Sequence, residues 1–588
     1  ETETETETET ETETETETET QRILYSGSLK KEFIDIMGAY EKVKCMTNNP
    51  IWRWIDDTFL DLGRQFRWTY LPPLMVYLAA GVSGLTAIVG TFFIKDYLDL
   101  SAAFLAGLAF WAGIPWTLKM PLGHLVDLIW RQKAILVYIG ASLIALSIGI
   151  MYGIIAHTEM MGEIMKVEVW FVIATLLAPT GYVVQDVVAD AMTVEAVPTI
   201  DEHGNPYPDS EIKMMHTTMQ TLGRVAIIGG LIAVSLLNIT MFKGVENMSE
   251  EMKVAIYADI YLLALIIPVV SIIGVILAAY LLKRRARELH EQGHDNESVD
   301  KILFAPAGET HPNWWILGGS IVFAAFTLIM GISEVPLAQE IIFLGSMSII
   351  LFVMYRLLLE LDPSVRKMLV GTAIIIFVFR AVPLHGPGLL WFEVDVLKFD
   401  QHFLSILSLI ASVLALLGMV LLRPMMAKRS IGFVVVILTI AGGILSLPNI
   451  GLYYGVHEWT AAHTGGVVDA RFIAVIDTAM ESPLGQIAMI PMLAWIAKNA
   501  PPHLKATFFA VMASFVNLAL SASSLGTKYL NEIYLVTREV RDRATDVIKT
   551  AADYSELGWL MIIVAIISLL APWLTVALIQ RSALRTQQ

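Results

Sequence analysis

Asp186 and Asp190 lie four residues apart near the end of an apolar run, and Glu195 follows about a turn and a half later. An ionised side chain inside a bilayer costs roughly several kcal/mol, so carboxylates there usually face a bundle interior and mark the path of a substrate, ion or proton. At about 100° per residue the two aspartates share a helix face, and Glu195 points roughly the opposite way. A second set stands late in the chain: Arg471, Asp477, Glu481 and Gln486 in one apolar run, with Arg380 and His385 at the outer end of another. Asp477 and Glu481 also share a face. A carboxylate that alternates between wet and dry surroundings can take up and release a proton, which makes Asp186, Asp190, Asp477 and Glu481 candidates for substrate or proton binding.

The cation best suited to an anionic solute is Arg224, within Thr221-Leu-Gly-Arg-Val-Ala-Ile-Ile-Gly-Gly, because its planar fork matches a carboxylate. Its alternative reading is an ion pair with Asp186 or Asp190. Arg380 is the corresponding cation of the second set. Gly223, Gly229 and Gly230 read as close-packing positions. The spacing Asp186, Asp190, Glu195 recurs as Asp477, Glu481, Gln486, but Asp186 lies about 18 residues into its run and Asp477 about 6, so their depths differ by some 18 Å and chance explains the match.

Other chemistries find no support. Cys45 is the sole cysteine, so there is no disulfide framework or thiolate metal site, and no histidine spacing suggests a metal. No nucleotide-binding motif, nucleophile or cofactor constellation is present, so neither an enzyme nor a cofactor is expected. No basic tract suggests nucleic acid.

The elements that must position these residues are membrane helices. The 588 residues are 55% hydrophobic and 16% charged, with mean hydropathy +0.62, and the charges cluster between apolar runs. Residues 1–20 are a Glu-Thr repeat, a tag or disordered segment whose ten glutamates account for most of the formal charge of −16. Residues 21–70 are a cytoplasmic, partly interfacial lead-in, in which Ile51, Trp54, Ile55, Phe59 and Leu62 suggest an amphipathic helix on the membrane.

Six apolar runs of spanning length follow, at about 71–94, 101–118, 134–156, 168–191, 217–240 and 258–282. They form an N-terminal half over 71–283. A charged stretch, 284–312, is a cytoplasmic linker. Eight more runs lie near 313–333, 338–359, 367–386, 401–422, 430–454, 471–497, 505–527 and 557–580. The first two read as an extra hairpin, 313–359, and the remainder as a C-terminal half over 360–580, closed by a tail at 581–588. Lys and Arg collect in alternate loops, placing both termini in the cytoplasm. The loop 528–556 is the exception, and its length suggests an external helix. The reading is an all-α polytopic membrane protein of six plus six helices with an inserted hairpin, about fourteen spans; twelve or thirteen follow if one run is re-entrant.

Gly123 and Asp127, followed by Arg131 and Lys133, resemble the loop motif between helices two and three of the major facilitator superfamily. A glycine there allows close helix approach, and an acidic residue one turn later can be held by a helix N-terminus or a cation. Phe92-Phe-Ile-Lys-Asp-Tyr-Leu-Asp-Leu-Ser, Pro115-Trp116, Lys119, Asp186-Val-Val-Ala-Asp, and the stretches from Ala488 and Lys505 through Asn517 are similar to the folate-biopterin transporter family of that superfamily. Met120, between Lys119 and Pro121, departs from the family pattern. The resemblance implies transport of folates or reduced pterins by proton symport.

Depth adds a gating role for the residues near the cytoplasmic surface. Lys119, Gly123, Asp127, Arg131, Lys133 and Glu195, with Asp190 close by, read as an ionic latch that holds one conformation. The expected protein is a secondary transporter of a small, anionic organic solute coupled to protons, sited in the cell (inner) membrane and in contact with the lipid bilayer. The alternative is a transporter-like membrane scaffold or assembly subunit, meeting a protein partner through the 313–359 hairpin or the 528–556 loop.

Overall fold

A chain in hydrocarbon must satisfy every backbone N–H and C=O internally, which is why runs such as Ala134–Ala156, with no charged residue in 23, become helices. The computed structural model describes residues 64–585, apart from 99, 118, 199–206, most of 305–334, 360–361, 422–429, 483–504 and 542–546. The amphipathic lead-in at 51–62 lies outside the described residues.

In the N-terminal half, α1 (Leu71–Val82) and α2 (Ala87–Tyr97) make one crossing, interrupted by a 3-10 turn at Ser83–Thr86. Then come α3 (Ala102–Thr117) with α4 (Lys119–Leu128), α5 (Ala134–Ala156), the short α6 (Thr158–Ile164), α7 (Val167–Ala196), α8 (Asp209–Met241), and α9 (Glu250–Ala264) with α10 (Ile266–Glu291). The linker carries α11 (Asn296–Phe304), and the second arm of the extra hairpin is α12 (Ala338–Leu358). The C-terminal half holds α13 (Pro363–Arg380), α14 (Gly388–Asp395), α15 (Gln401–Leu421), α16 (Ile431–Tyr453), α17 (Val456–His463), α18 (Ala470–Glu481), α19 (Lys505–Ile533), strands β1 (Val540–Arg541) and β2 (Ile548–Thr550), and α20 (Leu557–Arg581).

Among the described residues, ten helices are long and apolar enough to cross a membrane. The apolar face of α10 shows what surrounds them. Ile266, Val269, Ile273, Ile276 and Tyr280 follow helical spacing and are each about half exposed, a stripe suited to lipid. Of the other four runs read from sequence, 313–333 is mostly outside the described residues and 471–497 is described only to 482. The remaining two are α13 and α19.

Three boundaries differ from the sequence reading. The polar stretch after Lys283 interrupts the hydrophobic pattern but not the helix: α10 continues to Glu291, with Arg284 paired to Glu288 one turn on at 3.0 Å. The run read as 367–386 ends at Arg380, because Pro383 and Pro387 cannot continue a helix and Gly386 adopts φ +72. In the loop 528–556 the described residues beyond α19 form no helix; β1 and β2 pair antiparallel, as their β-branched residues favour.

The two halves meet along two seams, α3 with α19 and α8 with α15. Within the N-terminal half α7 lies against α5 where two glycines cross: a Cβ on Gly140 would stand 2.6 Å from the Gly181 carbonyl oxygen, and the reverse holds equally. Only glycine lets these backbones touch. The hairpin covers the first seam. Gln339 of α12 donates to the Gly107 carbonyl on α3 (3.1 Å), while Glu340 accepts from Lys528 (3.4 Å) and from the Tyr529 hydroxyl on α19. Phe326 and Met330, from the hairpin's first arm, pack with Phe110, Ile114, Ile342 and Leu525.

The loops between α2 and α3, α14 and α15, and α19 and α20 lie at one end of the bundle, here the far end. The linker and the chain terminus after α20 lie at the other, the linker end.

Candidate functional site

Lys119, within the helical span Ala102–Val126 to which α3 and α4 both belong, reaches across to α7. Its ammonium lies 2.6 Å from one oxygen of Asp186 and 2.8 Å from one of Asp190. The second oxygen of Asp190 accepts the Tyr77 hydroxyl at 2.6 Å. One cation thus bridges two carboxylates that share a helix face, and α1, α4 and α7 converge on that point. Tyr77 escaped the sequence reading. Its ring fits because Gly223 faces it from α8, where a Cβ would stand 2.9 Å from the ring.

Arg224 follows Gly223 on α8. It is exposed and close enough to act electrostatically on Asp186, yet among the described residues it forms no ion pair with either aspartate. The pairing weighed for it is therefore not the arrangement found. Of the three glycines, Gly223 meets Tyr77 and Gly230 meets Leu78 and Gly81, whereas a Cβ on Gly229 would meet none of the described residues within 4 Å.

The remaining charges at the linker end pair separately. Lys133 and Glu195, both under 10% exposed, are 3.0 Å apart, and the Lys133 ammonium also sits 4.3 Å from the centre of the Trp130 ring. Arg131 binds Asp300 of α11 at 2.5 Å, tying the loop to the linker. Gly123 makes no close approach to the described residues: a Cβ there would meet none of them within 4 Å. Asp127 lies on α4, with its side chain outside the described residues.

The second set lies in the C-terminal half. Asp477 on α18 is 6% exposed; one of its oxygens accepts from Asn449 at 2.9 Å, and the other has no hydrogen-bond partner among the described residues. Asn449 follows Pro448 inside α16, where the proline has displaced the regular helix bonding. Glu481, one turn beyond Asp477, is exposed. Glu393 on α14 is half-buried and close enough to Asp477 to act on it electrostatically, and no hydrogen bond or ion pair engages its side chain among the described residues. Neither Asn449 nor Glu393 stood out in the sequence, although Glu393 is the only acid inside Leu389-Leu-Trp-Phe-Glu-Val.

Arg380 closes α13. It is half-buried, its Nε is enclosed without a hydrogen-bond partner, and no carboxylate pairs with it among the described residues. Arg471, by contrast, is taken up by Asp400 at 2.8 Å and the Lys398 carbonyl at 3.2 Å. Gln486 lies outside the described residues. The break between α13 and α14 is held by α19: Ser523 donates to the Val382 carbonyl (2.6 Å), Thr527 accepts from the Leu384 amide (2.9 Å), and Asn531 donates to the His385 carbonyl (3.3 Å).

Both α7 and α18 run from the far end toward the linker end. Asp186 is the twentieth residue of the first and Asp477 the eighth of the second, so by helical rise the sets are offset by about 18 Å along the bundle. Among the described residues, the arrangement offers unpaired cations and partly unpaired carboxylates at two depths of a membrane bundle.

Solved structures share this architecture. A mutant of the nucleoside transporter NupG superposes with a TM-score of 0.51 at 12% identity, covering 87% of this chain and 98% of that one. A POT family transporter in complex with 5-aminolevulinic acid gives 0.55 at 12% identity, over 87% and 95%. At such identity the likeness shows the fold alone, the one that these two transporters share. Fold and charges together define a multi-pass membrane protein with ionisable groups set inside its helix bundle. The chain belongs to the BT1 family, which it matches over residues 80–586. It is also 27% identical over 154 residues to the folate-biopterin transporter of Synechocystis sp. (strain ATCC 27184 / PCC 6803 / Kazusa), a match spanning 26% of this chain and 30% of that protein.

Proposed function

We propose that this transporter carries a folate or reduced pterin across the cell membrane by alternating access, with protons as the coupling ion and both termini in the cytoplasm. The observation that carries the reading is Arg380, a half-buried guanidinium inside the bundle with no carboxylate partner among the described residues. A cation in low dielectric is stabilised by an anion with fork geometry, and a solute carboxylate has that geometry. Arg224 is the matching cation of the other half. The name of the Synechocystis relative points to the same solutes.

Asp477, with Glu393 beside it and Glu481 a turn away, serves in this reading as the proton site. Two adjacent carboxylates in a dry site, with no cation paired to them among the described residues, are far less costly when one carries a proton, and wetting the site releases it. Asp186 and Asp190 can accept the adjacent N–H donors of a pterin ring once Lys119 moves away. Lys119, Lys133 and Glu195 hold the linker end in its present arrangement until then.

The test is uptake of labelled folate and a reduced pterin into proteoliposomes, with and without an inward proton gradient. Gradient-driven uptake that is lost in Asp477→Asn supports the reading. Absence of uptake of either compound by well-folded protein overturns the solute assignment.

A further inference from the structure

The far end of the bundle carries a construction that the solute reading does not use. Arg538, in the loop between α19 and β1, is 2% exposed and inserts into the end of α2 from the opposite half. Its Nε donates to the Lys95 carbonyl, Nη1 to that of Leu100 and Nη2 to that of Ile94, each at 2.8 Å, and Nη2 also donates to the Leu98 carbonyl. The last carbonyls of a helix have no partner within it, and a guanidinium supplies several donors at once along with a charge that suits the negative end of the helix dipole. The other face of Arg538 lies over the Trp391 ring at 4.4 Å.

A second bridge runs alongside. Lys95 of α2 pairs with Asp395 of α14 at 2.6 Å, and the other Asp395 oxygen accepts the Tyr554 hydroxyl at 2.5 Å. Burial, and then the Asp395 carboxylate, push the Tyr554 phenol above the ordinary tyrosine range, so it stays a donor. Everything on one side, residues 94–100, belongs to the N-terminal half, and everything on the other, Trp391, Asp395, Arg538 and Tyr554, to the C-terminal half. The ion pairs that hold Lys119 and Lys133 at the linker end stay within the N-terminal half.

We infer that Arg538 and the Lys95–Asp395–Tyr554 bridge form a latch that closes the far end of the transporter, and that both must release before the cavity opens on that side. Arg538 does so from a connecting loop and binds backbone, so the latch is indifferent to which side chains α2 presents there. Opening exchanges four carbonyl bonds and one ion pair for water, which favours two discrete states over gradual widening. This depends only on the protein being a two-half transporter and needs no knowledge of the solute.

The experiment measures distances between spin labels in the full chain reconstituted in lipid, in a Cys45→Ser background. Far-end labels go on Glu159→Cys and Ala462→Cys, exposed sites on α6 and α17, and linker-end labels on Gln132→Cys and Ala583→Cys. Arg538→Ala is expected to shift the far-end distances to longer values and the linker-end distances to shorter ones, and Asp395→Asn to do the same to a lesser extent. Unchanged distributions in both variants would overturn the latch and leave Arg538 as a loop anchor. If Arg538→Ala yields no folded protein, Asp395→Asn decides alone: a shift supports the latch and none overturns it. Because no solute is present, failure of the folate assignment would leave the result intact.

Discussion

Asn517 of α19 donates its side-chain amide to the backbone carbonyl of Trp116 on α3, 3.0 Å away, across the seam between the two halves. A side-chain bond across a membrane helix interface contributes about 0.6 kcal/mol on average and up to about 1.7. Asn517→Leu removes the donor and leaves the carbonyl enclosed, so a loss of about 1 kcal/mol is expected. A lowered thermal midpoint of the purified protein checks it; an unchanged midpoint would mean that water replaces the bond.

Lys119→Met leaves Asp186 and Asp190 facing each other without their cation. Breaking a buried pair by removing one partner costs about 3–5 kcal/mol, and the lower figure applies because Asp190 is 45% exposed. Transport should fall more than tenfold, and combining Lys119→Met with Asp186→Asn should recover stability but not transport. Thermal melting and uptake measured on the same preparations separate the two effects. Equal recovery of both would show that Lys119 has a structural role only.

Asp477→Asn and Glu393→Gln remove the exchangeable proton but keep shape and hydrogen bonding. Both variants should still exchange labelled for unlabelled solute across the membrane while losing accumulation driven by a proton gradient. Paired exchange and accumulation assays on one batch of vesicles give the comparison. Persistence of accumulation in both variants would place coupling elsewhere.

Arg380→Lys retains the charge and discards the fork. The expected result is KM raised about tenfold, matching the loss of one bidentate contact of about 1.4 kcal/mol, with kcat less affected. An initial-rate series over solute concentration checks it, and a KM equal to that of the unaltered protein would remove Arg380 from the binding surface.

Gly181→Val would drive a side chain into the Gly140 carbonyl and the Ile144 side chain, 2.6 and 2.7 Å from its Cβ. Overpacking of this kind costs about 1–3 kcal/mol. It should also push α7 away from α5 and so carry Asp186 off Lys119, five residues further along. Lower thermal stability together with reduced transport is expected; Gly229→Ala, at an open position, should alter neither.

The helical crossings could be read from apolar length because the bilayer allows hardly any other backbone structure. The grouping of Asp186 and Asp190 followed from a spacing of four on one helix. What the pattern could not show were partners brought together by tertiary packing: Tyr77 comes from a helix more than a hundred residues earlier, and Asn449 and Glu393 from two separate elements. Arg224 illustrates the converse, since proximity in one half did not make it a partner of the aspartates. The strands at 540–550 were missed because five residues of β character inside a charged loop leave almost no periodicity. Arg538 gave no signal at all, as its role depends on carbonyl groups that every sequence possesses.

The extra hairpin is bonded to both sides of a seam, to α3 through Gln339 and to α19 through Glu340. If the two halves rock as proposed, that seam would widen and narrow with every cycle, with lipid chains outside it. With α12 held against both helices, the hairpin would keep acyl chains from wedging between α3 and α19 while they separate. Its two polar tethers also limit how far they can part. On this account the hairpin serves as a gasket, and the stroke of the transporter should depend little on the thickness or saturation of the surrounding membrane as long as it stays in place.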